Sequence, residues 1–298
     1  MPAPLLVVDA PFLLYRSFFA LPESIRGVDD RPVGALLGAA NALLRVVADR
    51  RPRAVVVCFG AEAAAYRVEL FAPYHADRPP VPDPLAWQFE QAPALFAAFG
   101  WGCQGSDDLE ADDLLGSYAA AETAAGGSTL ILTGDRDMYQ CVGEQTTVLY
   151  LKSGTTGFEA VDVAEVRRRY GIDPGLVPDF IALRGDPSDS LPGAPGVGPK
   201  TAAELLERYG SLEEALAAVG TVQQPRPAPD VRPRVAQSLR ENADQLRRYR
   251  EIALLQLVEL ERPADAQTNL EGGAEAARTL GLNALAKRLE AADSLADL

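Results

Sequence analysis

The sequence predicts an α/β chain, a mostly parallel central sheet flanked by helices, followed by a helical region. Three observations carry this. Short runs of aliphatic and β-branched residues at 5–8 (LLVV), 54–59 (AVVVCF) and 129–132 (TLIL) end in loops and have the continuous apolarity of strands buried on both faces. Between them, 33–48 and 112–125 are rich in Ala and Leu, with apolar residues three and four apart. Strands that alternate with helices specify parallel pairing. Beyond about residue 160 the strand pattern fades, and 163–170, 176–183, 200–209 and 212–219 read as short helices separated by Gly and Pro.

At 298 residues the chain can bury a sizeable core in one large domain with an appendage or in two packed domains. We expect an α/β core over 1–160. A helical region over 161–298 should follow, with a hairpin at 191–205 and C-terminal helices that pack back on the core. The Pro- and Arg-rich 223–234 reads as a surface loop, and a basic helix through Arg240, Arg247, Arg248 and Arg250 should follow it.

Composition excludes several classes. No apolar run reaches the roughly 18 to 20 residues of a membrane helix, and the N-terminus lacks a basic leader, so a soluble cytoplasmic protein is expected. Three scattered cysteines and one histidine leave little basis for zinc or disulfides. No heptad or exposed apolar repeat argues for self-association, so a monomer is expected. The formal net charge of −14 argues against a nucleic-acid partner, unless many of the acids converge on one cation site.

The acids form three groups at informative places. In SDDLEADDLL, Glu110, Asp112 and Asp113 crowd the start of a helix, where Ser106, Asp107 or Asp108 would serve as cap. In LTGDRDM, Asp135 and Asp137 stand two apart at a strand end, which in extended backbone sends both to one side. In RGDPSDS, Asp186 and Asp189 stand three apart in a Gly/Pro turn. Each group alone has an ordinary structural reading. Together with Asp9 they fall near the carboxyl ends of parallel strands, where open sheets bind ligands, and gathered like charges call for a hard cation. Two such ions about 4 Å apart cleave phosphodiesters without a His or Cys nucleophile.

A second feature is LPGAPGVGPKTAAELL from Leu191. Its glycines free the backbone just before a helix N-terminus, which suits phosphate. The spacing is neither a Walker loop nor a dinucleotide fingerprint. It fits a helix-hairpin-helix that grips a DNA backbone through Gly196, Val197 and Gly198, with Lys200 adding charge.

LLVVDAPFLLYRSFFALP, YRVELFAPYHADRPP, DLEADDLLGSYA, LTGDRDMYQ and PDFIALRGDPSDSLPGAPGVGPKTAAELLERYGS, in this order, resemble the bacterial 5′-nuclease family, comprising the nuclease domain of DNA polymerase I and its free-standing relatives. With no polymerase region after Leu298, the free-standing form is expected. The resemblance implies a PIN-like fold and structure-specific cleavage of DNA at 5′ ends, nicks and 5′ flaps, in replication and repair. It also implies two or more Mg2+ or Mn2+ ions, the first held by Asp9, Glu110, Asp112 and Asp113, the second by Asp135, Asp137, Asp186 and Asp189. Arg16, Arg67 and Arg78 would face the scissile phosphate, 74–91 would form an arch for the 5′ strand, and the hairpin belongs to a motif that often carries K+.

Two positions depart from that family. Gly60 stands where an aspartate is usual, with Glu62 two residues on as a substitute, and restoring Asp at 60 should tighten metal dependence. His75 replaces a lysine, which exchanges a permanent charge for a group of intrinsic pKa about 6.5 and makes its cationic help pH-dependent. These departures motivate one rival reading, a DNA-junction binder that no longer cuts. Another is an aspartate-based phosphatase, which leaves the hairpin without a use.

Overall fold

In the computed structural model, residues 3–151 and 157–297 are described. The elements run β1 (Leu5–Asp9), α1 (Ala10–Ala20), α2 (Gly34–Arg50), β2 (Ala54–Cys58), α3 (Ala65–Leu70), α4 (Asp83–Ala98), β3 (Gly102–Gln104), α5 (Ala111–Ala124) and β4 (Thr129–Thr133). They continue with β5 (Thr146–Leu151), β6 (Phe158–Val161), α6 (Val163–Tyr170), α7 (Val177–Arg184), α8 (Pro199–Tyr209) and α9 (Leu212–Val219). The last are α10 (Pro233–Glu241), α11 (Ala243–Ala253), α12 (Leu270–Thr279) and α13 (Asn283–Ala291). The expected α/β class is borne out. The sheet has the order β3-β2-β1-β4-β5-β6; β1 to β5 pair in parallel and β6 is antiparallel to β5. Sequence reading anticipated three of the six strands. β3 is only three residues long, β5 follows β4 with only a short 3-10 turn between them, and β6 has four residues.

Both faces of the sheet are covered, which explains the unbroken apolarity of β1. Leu5 and Val7 join Val56 and Ile131 on the face packed by α5 and α7, while Leu6 and Val8 join Val57 and Leu132 against α1, α2 and α4. That second core also takes Ala274, Ala277, Leu285 and Leu289 from α12 and α13.

Several helix starts depend on distant residues. α2 has no side-chain cap of its own; the buried Gln88 of α4 supplies one, its Oε1 accepting from Ala35 N at 2.8 Å and Leu36 N at 3.3 Å. This anchors α4 through Leu85, Gln88, Ala92 and Phe96, so the span 74–91 is not a free-standing arch. It is a set of turns over 72–82, mostly exposed, followed by the first half of a packed helix. The cap of α5 is also shifted from expectation. Ser106 Oγ accepts from Asp108 N and Leu109 N to close a preceding turn, and Glu110 takes the cap position, its N–H donating to Asp113 at 3.1 Å.

In the helical region, the buried Asp179 of α7 accepts from Leu212 N and Arg250 Nε, both at 3.0 Å, joining α7, α9 and α11. The expected basic helix is two helices meeting at Asn242. Arg247 pairs with Glu213 and Asp244, and Arg240 donates to Val219 O.

After α11 an extended strap, 254–269, runs along α5 before α12 begins. Val258 N donates to Ser117 Oγ, and Leu255 and Leu257 cover Gly116, where a Cβ would lie 2.7 Å from Leu255 Cδ1. The strap ends in an ion cluster: Glu122, 1% exposed, pairs with both Arg53 and Arg262, and Arg53 donates to Pro263 O and Asp265. Glu122→Gln leaves two guanidiniums without their shared carboxylate, and urea unfolding should show a loss of about 3 kcal/mol. An unchanged midpoint would show that the strap holds without the cluster.

Candidate active site

Strand direction assembles the site. Asp9 ends β1 and caps α1, with Oδ1 accepting from Phe12 N at 2.9 Å and Oδ2 accepting from Thr133 Oγ at 2.7 Å. Thr133, at the end of β4, also accepts from Asp135 N at 3.0 Å, and Asp135 Oδ1 accepts from Asp137 N at 2.8 Å. Thr133 thereby links two adjacent strand ends. Its buried hydroxyl was not singled out in the sequence, where TLILT reads as a strand. Asp186 and Asp189 arrive from the other half of the chain, on a turn closed by paired backbone bonds between Asp186 and Leu191, both 2.8 Å. Asp186 also accepts from Arg184 Nη2 at 2.9 Å and Ser188 N at 2.9 Å.

These carboxylates share one neighbourhood and repel one another. Burial pushes Asp135 up to about 7, with Asp189, Asp9 and Asp186 adding to the rise. Asp112 lies well above the carboxylate range through burial and then through Asp135, Asp9 and Glu110. Asp137 does so through burial, Asp135, Asp189 and Asp186. Asp9 is raised by burial, with its Thr133 and Phe12 bonds opposing. Among the described residues no three ligand-type side chains stand close enough to cage an ion as placed. Separation is what unscreened repulsion favours. The donor set nevertheless fits a hard divalent cation: buried and half-buried carboxylates on several chain segments whose charge is under-compensated.

Glu110 and Asp113 face elsewhere. Arg67, 3% exposed, donates to Asp113 Oδ1 at 2.7 Å and Oδ2 at 2.9 Å and lies 3.1 Å from Glu110 Oε1. Its guanidinium is therefore turned into the protein rather than toward an open phosphate site. His75 is likewise only 8% exposed, stacked on Tyr74, with Nδ1 3.1 Å from Glu62 O and Nε2 2.9 Å from Asp189 Oδ1. Arg78 is the open cation of this group, its side chain 43% exposed and 3.6 Å from Asp189. Arg16 is half-buried on α1. Glu62, the expected substitute ligand, is exposed and meets His75 and Arg78 through its carbonyl.

The hairpin lies between α7 and α8. Gly196 has φ +81°, which L side chains resist, and Val197 is buried while Gly196 and Gly198 border open space. Gly198 precedes α8 with Pro199 at its first turn, and Lys200 projects with 91% exposure. Gly185 and Gly193 lie back to back, a Cβ on Gly193 meeting Gly185 N at 2.3 Å, so the Asp186 turn and the hairpin are one packed unit.

Comparison with known proteins agrees with this geometry. The profile of a 5′-3′ exonuclease N-terminal resolvase-like domain matches residues 4–171, and that of a 5′-3′ exonuclease C-terminal SAM fold matches 172–276. The chain belongs to the 5′-3′ exonuclease family. It is 39% identical to a 5′-3′ exonuclease of Streptomyces coelicolor over 228 residues, covering 72% of this chain and 75% of that one. It is 37% identical to one of Mycobacterium tuberculosis, covering 73% and 74%. In fold it is similar to bacteriophage T5 flap endonuclease, solved in a complex with DNA and metal ions. The TM-score is 0.68 at 15% identity, over 99% of this chain and 100% of that one. The 5′-nuclease reading made from the sequence is thus borne out, and nothing favours the non-cutting alternative. Among the described residues no helix is long and apolar enough to cross a membrane.

One departure of this exonuclease from its family has a packing cause. A Cβ on Gly60 would lie 2.2 Å from Ala111 N and 2.4 Å from Glu110 C, so the loop after β2 rests directly on the start of α5. Aspartate cannot simply be restored there. Gly60→Asp should lose about 2 kcal/mol or more of stability. A variant as stable as wild type with tighter metal dependence would reverse this conclusion.

The raised pKa of Asp135 has a definite pH signature. It holds its proton more tightly folded, at about 7, than at its ordinary 3.8, so the folded state gains relative stability at low pH and loses it as pH rises from about 4 through 7. In EDTA, Asp135→Asn should therefore be more stable than wild type at pH 8, on the order of 2 kcal/mol, with the gain absent near pH 4. Equal unfolding midpoints at both pH values would remove the repulsion argument.

Proposed function

We propose that this exonuclease cleaves DNA phosphodiesters at 5′ ends, nicks and 5′ flaps, using divalent ions, magnesium or manganese, held by the aspartates at the carboxyl end of the sheet. The carrying observation is the gathering of Asp9, Asp112, Asp135 and Asp137 beside Asp186 and Asp189, where burial raises the first four and neighbouring carboxylates add to the rise at Asp112, Asp135 and Asp137. The chemistry expected of bound divalent ions is neutralisation of phosphate charge and acidification of the attacking water. The DNA and metal ions named for the T5 enzyme support the same partners here.

The chain's own residues divide the remaining work. Thr133 fixes the orientation of Asp9 and the entry of Asp135. Arg184 and Ser188 orient Asp186, while the half-exposed Arg78 beside Asp189 is placed to meet a phosphate oxygen. Gly196, Val197 and Gly198 present backbone at the start of α8 to the duplex, with Lys200 as an outlying charge and potassium as the ion suited to the hairpin. The enzyme would work as a cytoplasmic monomer.

The test is cleavage of a 5′-flap duplex with Mg2+ and Mn2+ compared. Asp112→Asn and Asp186→Asn should each lower kcat by about 100-fold or more, whereas Lys200→Ala should raise KM a few-fold at unchanged kcat. Absence of any metal-dependent product from wild-type protein would leave DNA binding as its activity. Turnover of a chromogenic phosphate ester in place of DNA would point to a phosphatase.

A further inference from the structure

Beside the acid cluster, rings and guanidiniums form a second assembly on the β5 side of the sheet. Tyr150 of β5 is met by two arginines, Arg136 with its Cζ 5.6 Å and Arg169 with its Cζ 5.7 Å from the centre of the ring. Tyr139 packs edge-on against Tyr150 and lies next to Tyr170, which stacks on Phe180 of α7. Arg184, at the end of α7, lies over Phe180 at 5.2 Å. The path therefore begins and ends at the candidate site: Arg136 stands between Asp135 and Asp137 in the chain, and Arg184 donates to Asp186.

The three arginines differ in what neutralises them. Arg169 is held by Glu159 at 2.8 Å and Glu165 at 2.5 Å, and its Nη1 donates to Tyr139 Oη at 2.6 Å. Arg184 is paired with Asp186. Arg136 is exposed, its Nε donates to Tyr150 Oη at 3.3 Å, and the groups around it are Tyr150, Tyr170 and Tyr139. Among the described residues no carboxylate forms an ion pair with it, and its two terminal nitrogens have no acceptor.

A tyrosine shelf holds a guanidinium as an acid would, but leaves its charge uncancelled. The planar group rests on the ring and one N–H is taken by the hydroxyl, so part of the ordering cost of a long side chain is met before any ligand arrives. The backbone is fixed as well. Asp135 N donates to Thr133 Oγ at 3.0 Å and Asp137 N to Asp135 Oδ1 at 2.8 Å, closing the turn around Arg136. Its Cα is about 3.8 Å from those of both aspartates. Phosphates follow one another about every 3.4 Å of helix axis along each strand, so a strand with one phosphate at the aspartates brings the next within the span of an arginine side chain.

We propose that Arg136, shelved on Tyr150, binds a phosphate of the DNA backbone next to the one that reacts. The proposal rests on the DNA-cleavage reading above and adds to Arg78 a second backbone contact, on the β5 side of the acids. A guanidinium with both terminal nitrogens unspent suits two-point contact with a phosphate.

The salt dependence of binding separates a phosphate contact from a packing role. Each contact releases counterions, so losing one makes the fall of log K with log salt less steep by about 0.9. In anisotropy titrations of a labelled 5′-flap duplex in Ca2+, Arg136→Gln should show that shallower slope and a Kd raised roughly 3- to 10-fold at 0.1 M salt. Arg136→Lys keeps the charge and should keep the slope. Arg168→Gln is the control: Arg168 of α6 is a neighbouring arginine with 70% side-chain exposure, paired with Glu165, and its loss changes net charge equally. Its slope should match wild type.

A lower melting temperature for Arg136→Gln with slope and Kd unchanged would show that Arg136 only packs on Tyr150, and would overturn the proposal. Equal shallowing in Arg136→Gln and Arg168→Gln would overturn it too, because net charge alone would then account for the effect. No binding of the flap duplex by wild type at any salt concentration would instead overturn the DNA-cleavage reading itself.

Discussion

Repulsion between carboxylates gathered at the carboxyl edge of a parallel sheet is the constraint around which the rest of this chain is arranged. Parallel strands discharge their loops on one side, so Asp9 and the Asp135–Asp137 turn arrive together by topology alone. Holding them there costs stability: burial raises the pKa values of Asp112, Asp135 and Asp137, and the neighbouring carboxylates raise them further. The fold offsets this cost around the rim. Thr133 donates to Asp9, Arg184 to Asp186, and His75 and Arg78 border Asp189.

Parts of this arrangement are local and therefore legible in the sequence. LLVVD and LTGDRD carry both a strand and the acid that ends it, and GVGPK carries a turn and a helix start within a few residues. Fold class and the neighbourhood of the site follow from such segments. The roles of individual side chains do not, because they depend on partners far along the chain. Gln88 caps a helix 53 residues before it, Asp113 is matched by a backbone N–H 143 residues after it, and Arg67 meets a carbonyl at 252. Periodicity has no access to such pairings. In the span 74–91 the motif marks the turns, but only the packed structure shows that Leu85 and Gln88 belong to the core.

The net charge of −14 takes a different meaning once the acids are placed. Much of the arginine complement is engaged by acids within the protein: Arg53 and Arg262 with Glu122, Arg67 with Asp113, Arg250 with Asp179 and Arg247 with Glu213. These pairs organise the strap and the helical region. They turn their guanidiniums toward acids of the protein, whereas Arg78 and Lys200 project into solvent.

The strap that carries the chain from α11 back to α12 also orders events in time. The second core is closed by Ala274, Ala277, Leu282, Leu285 and Leu289 packing with residues as early as Leu6 and Leu36, and Gly281 fits against Gly27 and Val28 with no room for a side chain. During synthesis the sheet can form, but one of its faces waits for Ala274 to Leu289 to leave the ribosome. Such long-range closure slows folding, and it delays completion of the second core until the chain has been made through Leu289.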